Sequence, residues 1–198
     1  MRADERGQCR LRRAETLLNN QESTNTDSGE REQPLHTAEG ADTMPVENLL
    51  QAIQTLNADD AFRARLDAGQ WRQLAAFMQQ FKLRAGDTLI RFRDMDRVMY
   101  LLESGTLQVY VPDTGPARRP VAILRPGAVV GEPVLFAETP RMAQVEAMSP
   151  SVLWGLTRNR FDEFAQRQPE MAIEFLRAAG AVMAERMRAN LERGMPAA

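Results

Sequence analysis

Apolar residues follow two different spacings along the chain. Between Val46 and about residue 80 they recur mostly three or four positions apart, which predicts short amphipathic helices. Asp59-Asp60 and the stretch 67–69 interrupt this pattern, so we expect two or three helices rather than one. From Phe81 the period changes to two, and turns rich in Gly and Pro separate runs spaced about 8–12 residues apart. This pattern is typical of an antiparallel sandwich or barrel.

After Arg158 the spacing returns to three and four. We expect a helix near 159–167 and a longer one over roughly 170–193. Pro169 lies between them and suits a first helical turn, where its missing N–H is not needed. The resulting order of helices, antiparallel strands and helices predicts an α+β fold.

The composition divides the chain into four parts. Residues 1–43 are mostly polar and are predicted to be a disordered tail, because they offer little apolar surface to bury. The remaining parts are N-terminal helices over 44–80, a β-domain over 81–158 and C-terminal helices over 159–198.

Charge and hydropathy narrow the class of partners. The net charge of −2 argues against a nucleic-acid partner, because such proteins usually carry a basic excess. No apolar run approaches the roughly 20 residues that span a bilayer. The N-terminus lacks the apolar core of a secretory signal, and the one cysteine, Cys9, lies in the polar tail. We therefore expect a cytoplasmic protein with no membrane partner.

Catalytic chemistry has little support in the sequence. The one histidine, His36, lies in the tail, so the β-domain lacks the residues of a histidine metal site or a serine–histidine pair. Asp94 and Asp96 stand in an Arg-rich turn, where we expect them to be solvated or paired with Arg93 and Arg97. We predict neither a metal site nor an enzyme.

Two charges in the β-domain need an explanation. Arg141 shares its parity with Ala143, Val145 and Ala147, so its side chain should point inward with theirs. An unpaired buried charge is costly, so an anion must meet the guanidinium. Glu132 could supply it as an internal ion pair, and a bound phosphate is the other possibility.

The segment between these charges is suited to phosphate. Gly131 allows close backbone approach, and Pro133 fits the first position of a short helix. The backbone N–H groups around Val134 and Leu135 would then lie at a helix N-terminus, which favours anions. A guanidinium beside them could bind phosphate through two hydrogen bonds.

The stretch GEPVLFAETPRMA, residues 131–143, resembles the phosphate-binding cassette of cyclic nucleotide-binding domains. These are modules of the catabolite activator protein and of protein kinase A regulatory subunits. The resemblance covers about 46–193 and includes RAGDTLI (84–90), YLLESGTLQV (100–109) and LRPGAVVGE (124–132). It implies an antiparallel β jelly-roll barrel flanked by the N-terminal helices and by a long C-terminal helix.

The resemblance also implies roles for the cassette residues. Glu132 would bind the ribose 2′-hydroxyl, and Arg141 the cyclic phosphate, assisted by amides around Gly131, Val134 and Leu135. The implied ligand is cAMP or a related cyclic nucleotide. Met142 and Ala143 follow the arginine. At the position of Met142 the family often has a hydroxyl that helps to hold guanine, so cAMP is expected over cGMP. The remaining candidates either line the pocket or belong to the core, namely Val121, Leu124, Val130, Leu107 and Val109.

The final helix carries a stripe at spacings of four, three and four residues: Leu176, Gly180, Met183 and Met187. We expect it to form a homodimer, although the stripe could instead pack on its own β-domain. A count from Arg141 places Met183, Arg186 and Met187 near the purine, with Arg186 either stacked on the base or solvated.

The sequence thus predicts a stand-alone cyclic nucleotide-binding module that signals to an unknown protein effector through its C-terminal helix. One alternative is the same fold without a ligand, acting as a scaffold or dimerisation unit. Another is a different phosphate ligand, such as a cyclic dinucleotide.

Overall fold

The computed structural model describes residues 46–112 and 118–194. The predicted disordered tail, 1–43, lies outside these residues. The helices are α1 (Glu47–Thr55), α2 (Ala68–Ala75), α3 (Arg158–Arg167) and α4 (Pro169–Glu192). The strands are β1 (Gln79–Leu83), β2 (Thr88–Ile90), β3 (Val98–Ser104), β4 (Leu107–Pro112), β5 (Arg118–Leu124), β6 (Val129–Val130), β7 (Gln144–Ala147) and β8 (Ser151–Thr157). No helix among the described residues has the length and apolar character to cross a bilayer.

Local signals in the sequence fix where the helices begin and end. The Asp67 side chain accepts a hydrogen bond from the Gln70 amide at 2.8 Å, and the Gln70 side chain accepts one from the Asp67 amide at 2.9 Å. This capping box begins α2 and explains why the apolar spacing is interrupted there. Pro169 occupies the first turn of α4, which confirms that prediction.

The strands form two four-stranded antiparallel sheets. Their strand orders are β1-β8-β3-β6 and β2-β7-β4-β5. The α+β class with antiparallel sheets is therefore confirmed. The described strands do not close into one barrel, because their hydrogen bonds run within each sheet and leave edge strands at both sides.

Strand β3 is buried on both faces and separates two layers of core. Met99 and Leu101 pack with residues of the four helices, whereas Tyr100 and Leu102 pack with residues of the second sheet. Leu107, Leu124 and Val130 belong to this inter-sheet layer and Val109 packs against it, while Val121 is half-buried. The first sheet therefore carries the helices on one face and the second sheet on the other.

A tight contact holds α1 against the turn between β5 and β6. Gly127 has a φ of 90°, and a Cβ atom added there would lie 2.3 Å from the carbonyl oxygen of Ala52 in α1. Gly86 has the same φ of 90°, but nothing lies within 4 Å of its added Cβ. The two glycines thus differ in packing while sharing one backbone conformation.

We predict that Gly127→Ala destabilises the fold more than Gly86→Ala. Both substitutions put a side chain on a left-handed backbone, which costs about 1–2 kcal/mol. Gly127→Ala also pushes α1 away from the sheet, so a total of about 2–4 kcal/mol is expected. Urea unfolding of the two variants measures the difference, and equal losses would contradict the close packing of α1.

Candidate functional site

A short 3₁₀ helix, Glu132–Leu135, follows β6 directly. Gly131 precedes it in the left-handed region, with a φ of 83°. A Cβ atom added at Gly131 would lie 2.5 Å from Nη1 of Arg141 and 2.9 Å from the Val98 carbonyl oxygen. Glycine is therefore required here by both backbone conformation and space, and the guanidinium lies against the start of the cassette (131–143).

Arg141 is buried, with 5% of its surface exposed, which confirms that its side chain points inward. Its Nε donates to Oδ2 of Asp96 at 3.1 Å, and its Nη2 forms an ion pair with Oδ1 of the same carboxylate. Nη2 also donates to the Val98 carbonyl, and Nη1 donates weakly to the Gly131 carbonyl at 3.4 Å. The expectation that Asp96 is solvated or paired with Arg93 or Arg97 is therefore wrong.

The two backbone segments that carry this pair are also joined. The Arg141 amide donates to the Asp94 carbonyl at 2.8 Å, and the Arg93 amide donates to the Arg141 carbonyl at 2.9 Å. The turn 91–97 is thereby held against the segment that leads into β7. Asp96 consequently binds the guanidinium of Arg141 from a fixed position.

The hydrogen bonds of Arg141 leave one of its N–H donors without a partner among the described residues. A guanidinium has five N–H groups, and the bonds to Asp96, Val98 and Gly131 use four of them. The remaining N–H belongs to Nη1, the nitrogen that lies against Gly131. An anion at the cassette would therefore meet Nη1.

Glu132 is buried, with 5% of its surface exposed, but its partner is not Arg141. Its Oε1 accepts a hydrogen bond from Nη1 of Arg186, in α4, at 2.9 Å. Of the two alternatives that the sequence left open for Arg141, the internal ion pair with Glu132 is therefore not formed. Arg141 thus pairs with Asp96 and Glu132 pairs with Arg186, and both partners are distant in sequence.

The other predicted site residues occupy different environments. Val134 and Leu135 are buried, and the Val134 amide donates to the Gly131 carbonyl at 3.3 Å within the 3₁₀ turn. Met142 is 43% exposed and Ala143 is half-buried. The Val134 amide is therefore engaged in this conformation and is not a free phosphate donor.

Arg158, at the start of α3, was not predicted and holds the end of the short helix. Its Nη1 donates to the Leu135 carbonyl at 2.8 Å and to the Val134 carbonyl at 3.4 Å. Its Nε pairs with Asp162 one turn further along α3. The cassette is thus fastened to both C-terminal helices, by Arg158 to α3 and by Arg186 to α4.

Comparison with known proteins now identifies this arrangement. Residues 80–168 match the family model of the cyclic nucleotide-binding domain. This part of the chain belongs to the cyclic nucleotide-binding domain family.

Two similar proteins are protein kinases or their subunits. The cAMP-dependent protein kinase regulatory subunit of Blastocladiella emersonii is 32% identical over 109 residues, which is 55% of this chain and 27% of that protein. The cGMP-dependent protein kinase of Plasmodium berghei is 28% identical over 118 residues, 58% of this chain and 13% of that protein. The chain thus matches less than a third of each of these longer proteins.

A solved structure supports the same family. The catabolite activator protein of Thermus thermophilus superposes with a TM-score of 0.58 and 26% identity, covering 66% of this chain and 60% of that one. Arg186, in α4, donates to Glu132 and is not the solvated residue that the sequence left open.

Tyr100 lies in the inter-sheet core, and the charges of this site affect its pKa. Its ring meets Phe81 edge-on, with 5.7 Å between ring centroids, and only 3% of its surface is exposed. The pKa of Tyr100 is raised to about 12, mainly by burial and also by the nearby charge of Asp96, while Arg141 opposes the rise. The folded protein therefore keeps this phenol neutral at a pH where an unfolded tyrosine ionises.

We predict that Tyr100 makes stability fall at alkaline pH. Because the folded pKa is raised, its contribution is fully present below pH 10 and is lost as the pH rises toward about 12. The full loss is on the order of 2–3 kcal/mol. Denaturant unfolding between these limits should show a shallower decline for Tyr100→Phe than for the wild type, with Tyr110→Phe as the control. Equal declines in all three proteins would contradict the prediction.

Proposed function

We propose that this chain is a cyclic nucleotide-binding regulatory module that favours cAMP and signals to a protein partner through α4. One observation carries the proposal. Arg141 is buried and bound by Asp96, and its Nη1 lies against Gly131. The next residue is Glu132, whose carboxylate is also buried. A cationic donor therefore lies beside Gly131, and the next residue, Glu132, supplies a carboxylate acceptor.

These groups match the two polar parts of a cyclic nucleotide. The cyclic phosphate would accept from Nη1 of Arg141, where a charge-assisted bond is strong. The ribose hydroxyl would donate to Oε2 of Glu132, because Oε1 already accepts from Arg186. The family membership of residues 80–168 supports this assignment of ligand class.

The preference for cAMP rests on Met142. Its side chain is 43% exposed beside the buried arginine and carries no hydroxyl. A guanine-specific contact through this side chain is therefore not available. The similar proteins include both cAMP-dependent and cGMP-dependent kinase components, so they do not decide between the nucleotides.

The internal pairing of the charges favours a second candidate function. Both Arg141 and Glu132 have ionic partners within the chain, Asp96 and Arg186. A domain that needs no ligand to satisfy its buried charges can serve as a scaffold or a dimerisation unit. Another phosphate ligand, such as a cyclic dinucleotide, would also meet Nη1 of Arg141.

Thermal unfolding of the full chain with and without millimolar cAMP or cGMP tests the proposal. At 100 times its dissociation constant a ligand stabilises by about 2.7 kcal/mol, which raises the unfolding midpoint by roughly 5–10 °C for a chain of this size. We expect cAMP to give the larger shift and Arg141→Ala to abolish it. Arg97→Ala, which removes an exposed arginine paired with Glu138, is the matched control and should keep the shift.

Each comparison uses the variant's own ligand-free midpoint, so a general loss of stability does not imitate a loss of binding. No shift with either nucleotide in a folded wild type would favour the scaffold. A shift that persists in Arg141→Ala would contradict the assigned role of this residue.

We also propose a homodimer through α4. The predicted stripe is only partly available, because Leu176 packs toward the core, Ala179, beside the stripe, is fully buried, and Gly180 is half-buried. A more exposed seam runs beside it, with Ile173, Met187 and Leu191 each about half exposed. Open space surrounds an added Cβ at Gly180, between Ile173 and Met187, so a second helix can approach closely there.

We predict that Met187→Glu combined with Leu191→Glu produces monomers, because two charges per protomer would face each other across the seam. Sedimentation velocity at micromolar concentration measures the change. Ile123→Glu is the control, since this side chain is equally exposed (53%) but lies on β5. A wild type that is already monomeric would contradict the homodimer. A double variant that stays dimeric would place the interface elsewhere.

A further inference from the structure

Five consecutive residues of the cassette, 136–140, are all exposed. They lie between two buried residues, Leu135 and Arg141, and belong to no helix or strand. The backbone amides of Glu138 and Thr139 donate to no other described residue. The segment is therefore held at both ends while its middle is accessible to another protein.

Thr139 carries a hydroxyl at the middle of this open segment. The hydroxyl has no hydrogen-bond partner among the described residues. Pro140 follows it, and a residue before proline favours an extended backbone. The sequence has one other serine or threonine followed by proline, Ser149, which is half-buried in the turn between β7 and β8. Of the two, Thr139 is the exposed one.

A cation already lies beside Thr139. Nη1 of Arg97 pairs with Oε1 of Glu138, the preceding residue, at 2.9 Å, and these side chains are 47% and 72% exposed. Arg93, in the same turn, is exposed and has no carboxylate partner among the described residues. Because exposed ion pairs contribute little to stability, Arg97 can exchange the Glu138 carboxylate for a stronger anion.

A phosphate group on Thr139 would be such an anion. Phosphothreonine carries a charge of about −1.5 to −2 at neutral pH and three acceptor oxygens, and a guanidinium can bind two of these oxygens at once. Two residues of extended chain span at most about 7 Å, which is shorter than the roughly 8–10 Å over which salt screens charges. The phosphate would therefore also act on the surroundings of Arg141, where it would repel the phosphate of a bound ligand.

We propose that Thr139 is a phosphorylation site whose phosphate binds Arg97 and weakens the binding of a cyclic nucleotide at the cassette. The weakening rests on the proposed function, whereas the modification and its contact with Arg97 do not. A serine/threonine protein kinase would transfer the γ-phosphoryl group of ATP. Oγ1 of Thr139 forms a bond to the γ-phosphorus as the bond from this phosphorus to the β,γ-bridging oxygen breaks. ADP leaves, and the hydroxyl proton passes to the catalytic base of the kinase.

The first measurement locates the phosphate. The full chain is incubated with ATP and a proline-directed serine/threonine protein kinase, and its peptides are mapped by mass spectrometry. We expect the peptide that contains Thr139 to gain one phosphate in the wild type and in Ser149→Ala, and none in Thr139→Val. Valine keeps the branched shape of threonine and removes the hydroxyl. A folded wild type that stays unmodified at Thr139 would overturn the site.

The second measurement tests the contact with Arg97 and needs no ligand. Thermal midpoints of the wild type and Arg97→Ala, each with and without the phosphate, form a cycle. Arg97→Ala should lower the midpoint of the phosphorylated chain by roughly 2–4 °C more than that of the unmodified chain, because the phosphate loses its cation. Arg177→Ala, which removes an exposed arginine paired with Glu174 on α4, is the control and should lower both midpoints equally. Equal losses for Arg97→Ala as well would overturn the contact.

The third measurement is the affinity for cAMP, obtained by calorimetry before and after treatment with the kinase. Phosphorylation should weaken binding by the wild type about tenfold or more, and the factor should shrink as the salt concentration rises, because the effect is a repulsion between charges. Treatment of Thr139→Val should leave its affinity unchanged. An unchanged affinity of the phosphorylated wild type would overturn the weakening. If the unmodified wild type binds neither nucleotide, the proposed function fails and the weakening fails with it, while the first two measurements still decide the site and its contact.

Discussion

The need to pair one buried guanidinium organises the candidate site. Arg141 is almost fully enclosed, and a charge in that position is tolerated only with an anion and acceptors around it. Asp96 and the Val98 carbonyl supply them, which draws the turn 91–97 onto the segment before β7. Arg93 in this turn adopts a φ of 67°, a left-handed conformation that costs about 1–2 kcal/mol outside glycine. The ion pair and the two backbone bonds at Arg141 offset that cost.

The cassette belongs to the same core as the C-terminal helices. Val134 and Leu135 pack in one cluster with Phe161 of α3 and Phe175 of α4, on the helix-facing side of the first sheet. Close-packed cores do not deform continuously, so a shift of the short helix must be accommodated by the helices that touch it. Arg158 and Arg186 add polar bonds across the same contact. Any ligand that reorders the cassette therefore acts directly on α3 and α4.

Patterns confined to one element were predictable from the sequence, and long-range pairing was not. The switch of apolar period located the helices and strands, and the parity of Arg141 with Val145 predicted its burial. Nothing local distinguishes Asp96 from Asp94, because the choice of partner depends on how the turn folds against the segment before β7, 45 residues away. The Arg186 contact spans 54 residues and depends on how α4 docks. The spacing of the strands likewise left a sandwich or a barrel open, because spacing alone does not distinguish one barrel from two packed sheets.

The charges around the cassette decide what kind of ligand it can hold. Two guanidinium groups, of Arg141 and Arg186, face three carboxylates, of Asp96, Glu132 and Asp60. In the proposed binding mode, a phosphate is therefore not attracted by a net positive site, and it gains mainly from the one N–H of Arg141 that has no partner among the described residues. In the proposed binding mode, a cyclic nucleotide meets Arg141 with its phosphate and Glu132 with its sugar hydroxyl at the same time. The proposed site would thus select a ligand that combines an anion with a hydroxyl, and it would not select by charge alone.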